Sequence, residues 1–154
     1  MKPPSAPPSQ AGFLIAKVHQ ISGRIFARLL KSDERVEINP AQGRIMYALW
    51  RADGQSIREL SKATALEPST LTSMLDRLEI LGLIRRENDS SDRRIVIIRR
   101  TERDRALEAA YAKVSVEMTE LFFGGMDASE IAAFEGGLEK ILANLEAAES
   151  DAKA

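Results

Sequence analysis

Apolar residues recur at helical spacing over most of this chain, interrupted by two short runs of a different character. Phe13, Leu14, Val18, Ile21, Ile25, Phe26 and Leu29 form a stripe that predicts a first helix ending near Lys31. Asn39-Pro40-Ala41-Gln42 reads as a cap, a proline at the first helical position and a reciprocal capping residue, opening a helix that runs to about Trp50. Ser56-x-x-Glu59 is a capping box for a short helix with Ile57, Leu60 and Ala63 on its buried side. Thr64-Ala65-Leu66-Glu67 is the turn after it. Pro68 then opens a helix striped with Leu71, Met74, Leu75, Leu78 and Leu81, and Gly82 stands where a terminating glycine belongs. The two exceptional runs follow. Leu83-Ile84-Arg85-Arg86 and Ile95-Val96-Ile97-Ile98 are short and β-branched, which predicts paired strands around a polar loop at 87–94.

Beyond the strands the helical period returns. Residues 102–123 carry Leu107, Ala110, Tyr111, Val114, Met118, Leu121 and Phe122, and a final helix begins near Asp127 with Ile131, Phe134, Leu138, Ile141, Leu142 and Leu145. Gly136-Gly137 in its middle costs roughly 1 kcal/mol per glycine relative to alanine, so the helix either kinks there or admits a close neighbour. Pro3, Pro4, Pro7 and Pro8 make residues 1–10 a flexible arm. The expected fold is mainly α with a small β-wing: a winged helix-turn-helix over 38–101, an N-terminal dimerisation helix over 11–37, and C-terminal dimerisation helices over 102–154. A winged helix buries its own core, so the apolar flanking helices need another partner, and a second copy is the simplest. The alternative is that they fold back on their own domain.

The polar face of the helix opened by Pro68 carries the chemistry. Ser69, Thr70, Thr72, Ser73, Asp76 and Arg77 lie off the leucine stripe. Short hydroxyl side chains let a helix approach base edges, and the free N–H groups of a first turn favour phosphate. On this reading Thr70, Ser73 and Arg77 help set base preference in a major groove. The strand loop ends in Asp92-Arg93-Arg94. By itself such a triplet is as readily a solvated loop, but behind this helix pair it makes a second DNA contact, with Arg93 supplying phosphate affinity.

Gly82-Leu83-Ile84 with Arg86, then Asp92-Arg93-Arg94, then Thr101-Glu102 resembles the multiple-antibiotic-resistance regulators, the MarR family, and Ala48-Leu49-Trp50 and Asp53-Gly54 extend the likeness backwards. The resemblance covers roughly residues 38–105. It implies a winged helix-turn-helix homodimer on double-stranded DNA, with Arg94 inserted into the minor groove beside the recognition helix; Asp92, whose carboxylate phosphate would repel, reads as an orienting partner for a wing arginine. A guanidinium suits the negative potential of a narrow minor groove. The resemblance also implies a cleft for a small aromatic or anionic effector, for which His19, Arg24, Tyr47, Trp50 and Tyr111 are candidates; the other reading of these residues is core or boundary packing. There are departures from the family pattern. Arg100 replaces a usual hydrophobic residue, Asp104 a usual glycine, and Ile80-Leu81 a commonly basic pair. Arg99 and Arg100 could supply the missing phosphate contacts from the wing base, or form an ordinary charged edge strand.

Composition narrows the classes. The chain has 154 residues, 44% hydrophobic and 29% charged, which suits one globular domain. No apolar run is long enough to span a bilayer and no signal-peptide core is present, so no membrane partner is expected and the cytoplasm is the expected compartment. With no cysteine there is neither a disulfide nor thiol-based sensing. His19 is the only histidine and no glycine-rich phosphate loop is present, so no catalytic residues, metal ligands or cofactors are assigned. The net charge of −1 hides an asymmetry: residues 1–55 hold 8 basic and 4 acidic side chains, 56–105 hold 11 and 9, and 106–154 hold 3 and 10. Positive charge collects around the proposed DNA-reading region. The function expected is a DNA-binding transcriptional regulator, a ligand-modulated repressor on a pseudo-palindromic operator. The alternative is a winged-helix module that binds protein, which should expose apolar anchors on the same helix.

Overall fold

Three reciprocal caps decide where helices begin. Asn39 Oδ1 accepts from the Gln42 N–H at 2.9 Å while Gln42 Oε1 accepts from the Asn39 N–H at 3.0 Å. Ser56 and Glu59 exchange the same pair of bonds, at 3.2 and 2.7 Å, and so do Asp127 and Glu130, at 2.9 and 2.8 Å. Each pair satisfies two N–H groups that a helix start leaves without partners. In the computed structural model, which describes residues 9–35 and 37–153, the elements are α1 (Ala11–Lys31), α2 (Pro40–Arg51), β1 (Gln55–Ser56), α3 (Ile57–Thr64), α4 (Pro68–Ile80), β2 (Ile84–Asn88), β3 (Val96–Arg100), α5 (Glu102–Phe123) and α6 (Ala128–Lys153). Most of the arm expected over 1–10 lies outside the described residues.

The sheet differs from expectation in extent and in strand number. It is antiparallel in the order β1-β3-β2, with Ile84 opposite Arg100 and Asn88 opposite Val96, so both predicted strands start a residue late and run on two residues into polar sequence. Backbone pairing, not side-chain hydrophobicity, sets where a strand ends. The third strand, Gln55 opposite Ile98 and Ser56 opposite Ile97, is two polar residues long and carries no alternation to reveal it. It makes β3 a central strand, so the edge-strand reading of Arg99 and Arg100 does not hold.

The chain divides into two compact units, one ending at Ser115 and one beginning at Val116, with the division inside α5. In the first, Ile45, Met46 and Leu49 of α2 and Leu60 of α3 are fully buried, as are Leu71, Leu75 and Leu78 of α4 and Ile98 of β3. Ala63, expected inside, is exposed, and Thr64 is buried in its place. Its hydroxyl donates to the Leu60 carbonyl at 2.6 Å, which lets the polar residue continue the stripe one turn after Leu60. Ala65 then leaves the helix in the left-handed region at φ 54°. At the far end of α4, Gly82 takes φ 72° and the Leu83 N–H returns to the Leu78 carbonyl at 3.0 Å, a glycine-dependent helix stop.

In the second unit α6 runs unbroken through Gly136 and Gly137, and a Cβ added at either would meet nothing within 4 Å. Phe123 and Phe134 meet edge to face at 6.3 Å. Phe134, Leu138, Ile141, Leu142 and Leu145 stay exposed.

Gly54 marks the tightest backbone position of the first unit, at φ 76° with the Arg99 guanidinium 2.2 Å from where a Cβ would stand. Gly54→Ala should lower stability by about 1–3 kcal/mol, combining left-handed strain with displacement of Arg99 from Glu87. Urea unfolding of both proteins measures this as a lower midpoint at unchanged slope. Equal midpoints would contradict the packing described.

Candidate nucleic-acid interface

Burial of Leu71, Leu75 and Leu78 turns the opposite face of α4 outward, and that face carries Ser69, Thr70, Thr72, Ser73, Asp76 and Arg77, all exposed. The N-cap, Glu67, makes no side-chain cap bond, so the first-turn N–H groups stay open beside the hydroxyls. Thr72 turns its hydroxyl back to the Pro68 carbonyl at 2.8 Å. Among the described residues Arg77 has no carboxylate partner.

A second feature fixes this helix against the sheet. Arg86 on β2 spreads its guanidinium across two turns of α4, donating to Asp76 at 2.7 Å and Glu79 at 2.5 Å, while its own N–H donates to Glu79 at 3.3 Å. Asp76 and Glu79 would otherwise present uncompensated negative charge beside the hydroxyl face of α4. Forked arginine pairs also carry directional information that a hydrophobic contact lacks.

The loop between β2 and β3 is ordered by carboxylates. Asp89 Oδ1 accepts from the Ser91 N–H at 2.8 Å, the Ser91 hydroxyl at 2.5 Å and the Asp92 N–H at 3.0 Å, and Asn88 Nδ2 donates to the Arg93 carbonyl at 2.6 Å. At the tip Asp92 Oδ1 accepts from the Arg94 N–H and Nε, and Oδ2 from Nη2 at 3.1 Å. These bonds, the side-chain ones first, hold the Asp92 carboxyl below the usual carboxylate range. Arg94 is nonetheless 90% exposed, held in direction but open to solvent. Arg93 is exposed, with no such partner among the described residues.

The wing base is different. Glu87 accepts from Arg85 at 2.6 Å and from Arg99 at 2.5 Å, while Arg100 is buried and engages Asp104 at 2.5 Å and Glu108 at 3.2 Å. Arg100 therefore supplies no phosphate contact, and the Arg99 charge is balanced within the sheet. Burial pushes the Asp104 carboxyl above its usual value against the pull of Arg100. For Arg100, burial acts to lower its pKa but is outweighed by the bonds to Asp104 and Glu108, so it stays charged. Two cations that sequence reasoning passed over stand out instead. Arg58 and Lys62 are exposed one turn apart on α3 and have no carboxylate partner among the described residues; their spacing of four, on the helix before α4, was the available signal.

The five candidates for an effector cleft do not come together. His19 and Arg24 line a surface hollow of about 470 Å³ with Phe26, Pro40 and Arg44. Trp50 and Tyr111 stack on each other at 4.7 Å, the indole N–H donates to both Asp104 oxygens at 3.4 Å, and burial pushes the Tyr111 hydroxyl up to about 12. Tyr47 is exposed and does not line the hollow. Among the described residues no helix is long and apolar enough to cross a membrane, and no cluster of three or more His, Cys, Asp or Glu could hold a metal ion.

The MarR family model matches residues 38–96, the span from the start of α2 to the start of β3. Over 133 residues the chain is 31% identical to the transcriptional repressor NicR of Pseudomonas putida, covering 86% of this chain and 82% of that protein. The chain belongs to the MarR family. As a member it is a winged-helix transcriptional regulator and not an enzyme. The match to the regulator TtmR of Methylorubrum extorquens, 32% identical over 105 residues, spans only 52% of that protein. Among solved structures, Escherichia coli MarR bound to operator DNA superposes with a TM-score of 0.73 at 27% identity, covering 85% of this chain and 92% of that one. Bordetella bronchiseptica BpsR, whose DNA binding is regulated by 6-hydroxynicotinic acid, superposes with a TM-score of 0.75 at 27% identity, covering 86% and 98%.

The two exposed arginines Arg93 and Arg77 should differ in their response to salt and to sequence. Arg93→Ala is expected to reduce the slope of log affinity against log salt by about one unit on any duplex, whereas Arg77→Ala should also alter sequence preference. Fluorescence titrations on two sequences at several salt concentrations test both. A uniform loss across sequences for Arg77→Ala would remove it from base readout.

Proposed function

We propose that this regulator is a cytoplasmic homodimer that represses transcription by occupying a pseudo-palindromic operator. Each protomer lays Ser69, Thr70, Thr72, Ser73 and Arg77 of α4 in a major groove and places Arg94 in the adjoining minor groove. Arg93, with Arg58 and Lys62, meets phosphate. The observation that carries this reading is the pairing of an outward hydroxyl face on α4 with an arginine held by Asp92 at a solvent-exposed loop tip. The operator-bound relative supports it. A protein-binding role would call for an apolar patch on α4, and Ile80 is the one large apolar residue of that helix that is fully outside, at 85% exposure.

Dimerisation is supported by apolar surface that one chain leaves open: Phe13 at 68%, Leu14 and Val18 on α1, and Phe134, Leu138 and Leu142 on α6, with Ile131 beside them. Two protomers would present two copies of α4 to the two halves of an operator. For regulation we assign the hollow of His19, Arg24 and Arg44 to a small anionic effector, aromatic if Phe26 stacks on it, by analogy with the ligand control of BpsR.

Selection of bound genomic DNA fragments would supply the operator. On it, Arg94→Ala should weaken binding by about 1–3 kcal/mol per half-site with fold and assembly intact; unchanged affinity would remove Arg94 from the minor groove. Dimerisation has its own test. The thermal midpoint should rise with protein concentration, and deletion from Asp127 onward should cause aggregation or loss of operator binding although no proposed DNA contact is removed. A compact monomer in sedimentation at micromolar concentration, still binding the full operator tightly, would rule the dimer out.

A further inference from the structure

The buried cluster around Asp104 is chemistry that DNA contact does not use. Asp104 is fully buried in the first turn of α5, and its carboxylate gathers groups from two other elements, Arg100 at the end of β3, at 2.5 Å, and Trp50 of α2, at 3.4 Å, while its backbone N–H donates to Thr101 Oγ1, just before α5, at 3.3 Å. Thr101 Oγ1 in turn donates to the Gly82 carbonyl at 2.6 Å, reaching the turn before β2. The Arg100 main-chain N–H donates to Asp53 at 2.9 Å, so this residue is tied by both backbone and side chain. Charged residues are seldom fully buried, and an apolar pair in the same space is often as stable or more so. What an apolar pair cannot supply is direction, because hydrophobic contact is non-directional.

We propose that Arg100 and Asp104 are positioning residues for DNA binding, their buried pair holding the base of the wing where Arg94 can reach the minor groove. Arg100 closes β3, the strand that returns from the wing tip and the centre of the sheet, so its anchorage sets the course of the strand that carries the tip. The inference rests on the wing reading given under Proposed function.

A double-mutant cycle on the full-length protein and the selected operator duplex tests it. Arg94→Ala should cost about tenfold or more in affinity in the wild-type background and less than about threefold in Arg100→Met/Asp104→Leu, because a misplaced wing has little left to lose. Arg77→Ala, on α4, should cost the same in both backgrounds. An equal penalty for Arg94→Ala in both would overturn the proposal, and so would loss of the Arg77 effect alongside it, which would mean that the whole DNA-binding region had shifted. No penalty in the wild-type background would reject the wing reading itself and this inference with it. If the apolar double variant does not fold, Asp104→Asn, which keeps size and hydrogen bonding without the charge, enters the same cycle with the same outcomes. An unfolded Asp104→Asn would also overturn the proposal, since the pair would then hold up the fold rather than aim the wing.

Discussion

Burial of one stripe on α4 is the constraint on which the rest depends. Leu71, Leu75 and Leu78 are each removed completely from water, and each such side chain contributes roughly 1.5–3 kcal/mol. A rotation of the helix by one residue, about 100°, would turn that stripe toward water and bury Thr70 and Arg77 or, in the other sense, Thr72, Asp76 and Glu79, taking polar groups out of solvent. The core therefore selects the outward face. Arg86 then fixes the helix against β2 through Asp76 and Glu79, and Gly82 ends it in time for the chain to turn into the sheet.

Electrostatics in this fold is mostly internal. Arg85, Arg86, Arg94, Arg99, Arg100, Arg103 and Arg105 each pair with a carboxylate, so the basic residues counted along the sequence overstate the charge available to a phosphate backbone. Most of these pairs are solvent-exposed and each stabilises the fold little. Their larger effect is to aim side chains: Asp92 aims Arg94, Glu87 occupies Arg85 and Arg99, and Asp104 takes Arg100 out of reach altogether. Among the described residues of the stretch 56–105, the cations left without a carboxylate are Arg58, Lys62, Arg77 and Arg93.

The features legible in the sequence are those settled within a few residues. Caps at Asn39 and Ser56, the proline starts at Pro40 and Pro68 and the stop at Gly82 depend on local hydrogen bonds and backbone angles, and all stand where the spacing puts them. So does the outward face of α4. Features settled by distant partners were not legible. β1 exists only because β3 lies beside it, Thr64 is buried only because its hydroxyl finds Leu60, and Arg100 reads as a phosphate ligand until Asp104 is placed against it. The effector candidates divide for the same reason: Trp50 and Tyr111 are drawn into the Asp104 cluster, and only His19 and Arg24 share the hollow beside α2.

The central claim is that each chain reads two neighbouring grooves of one duplex and that two chains do so together. Hydroxyl-radical footprinting of the selected operator, with the bound stoichiometry measured on the same fragment, tests this most directly. The account predicts two chains per duplex, two protected segments about one helical turn or a small multiple apart, and minor-groove protection outside each that disappears in Arg94→Ala. A single protected segment with one chain bound, or minor-groove protection that persists without Arg94, would contradict it.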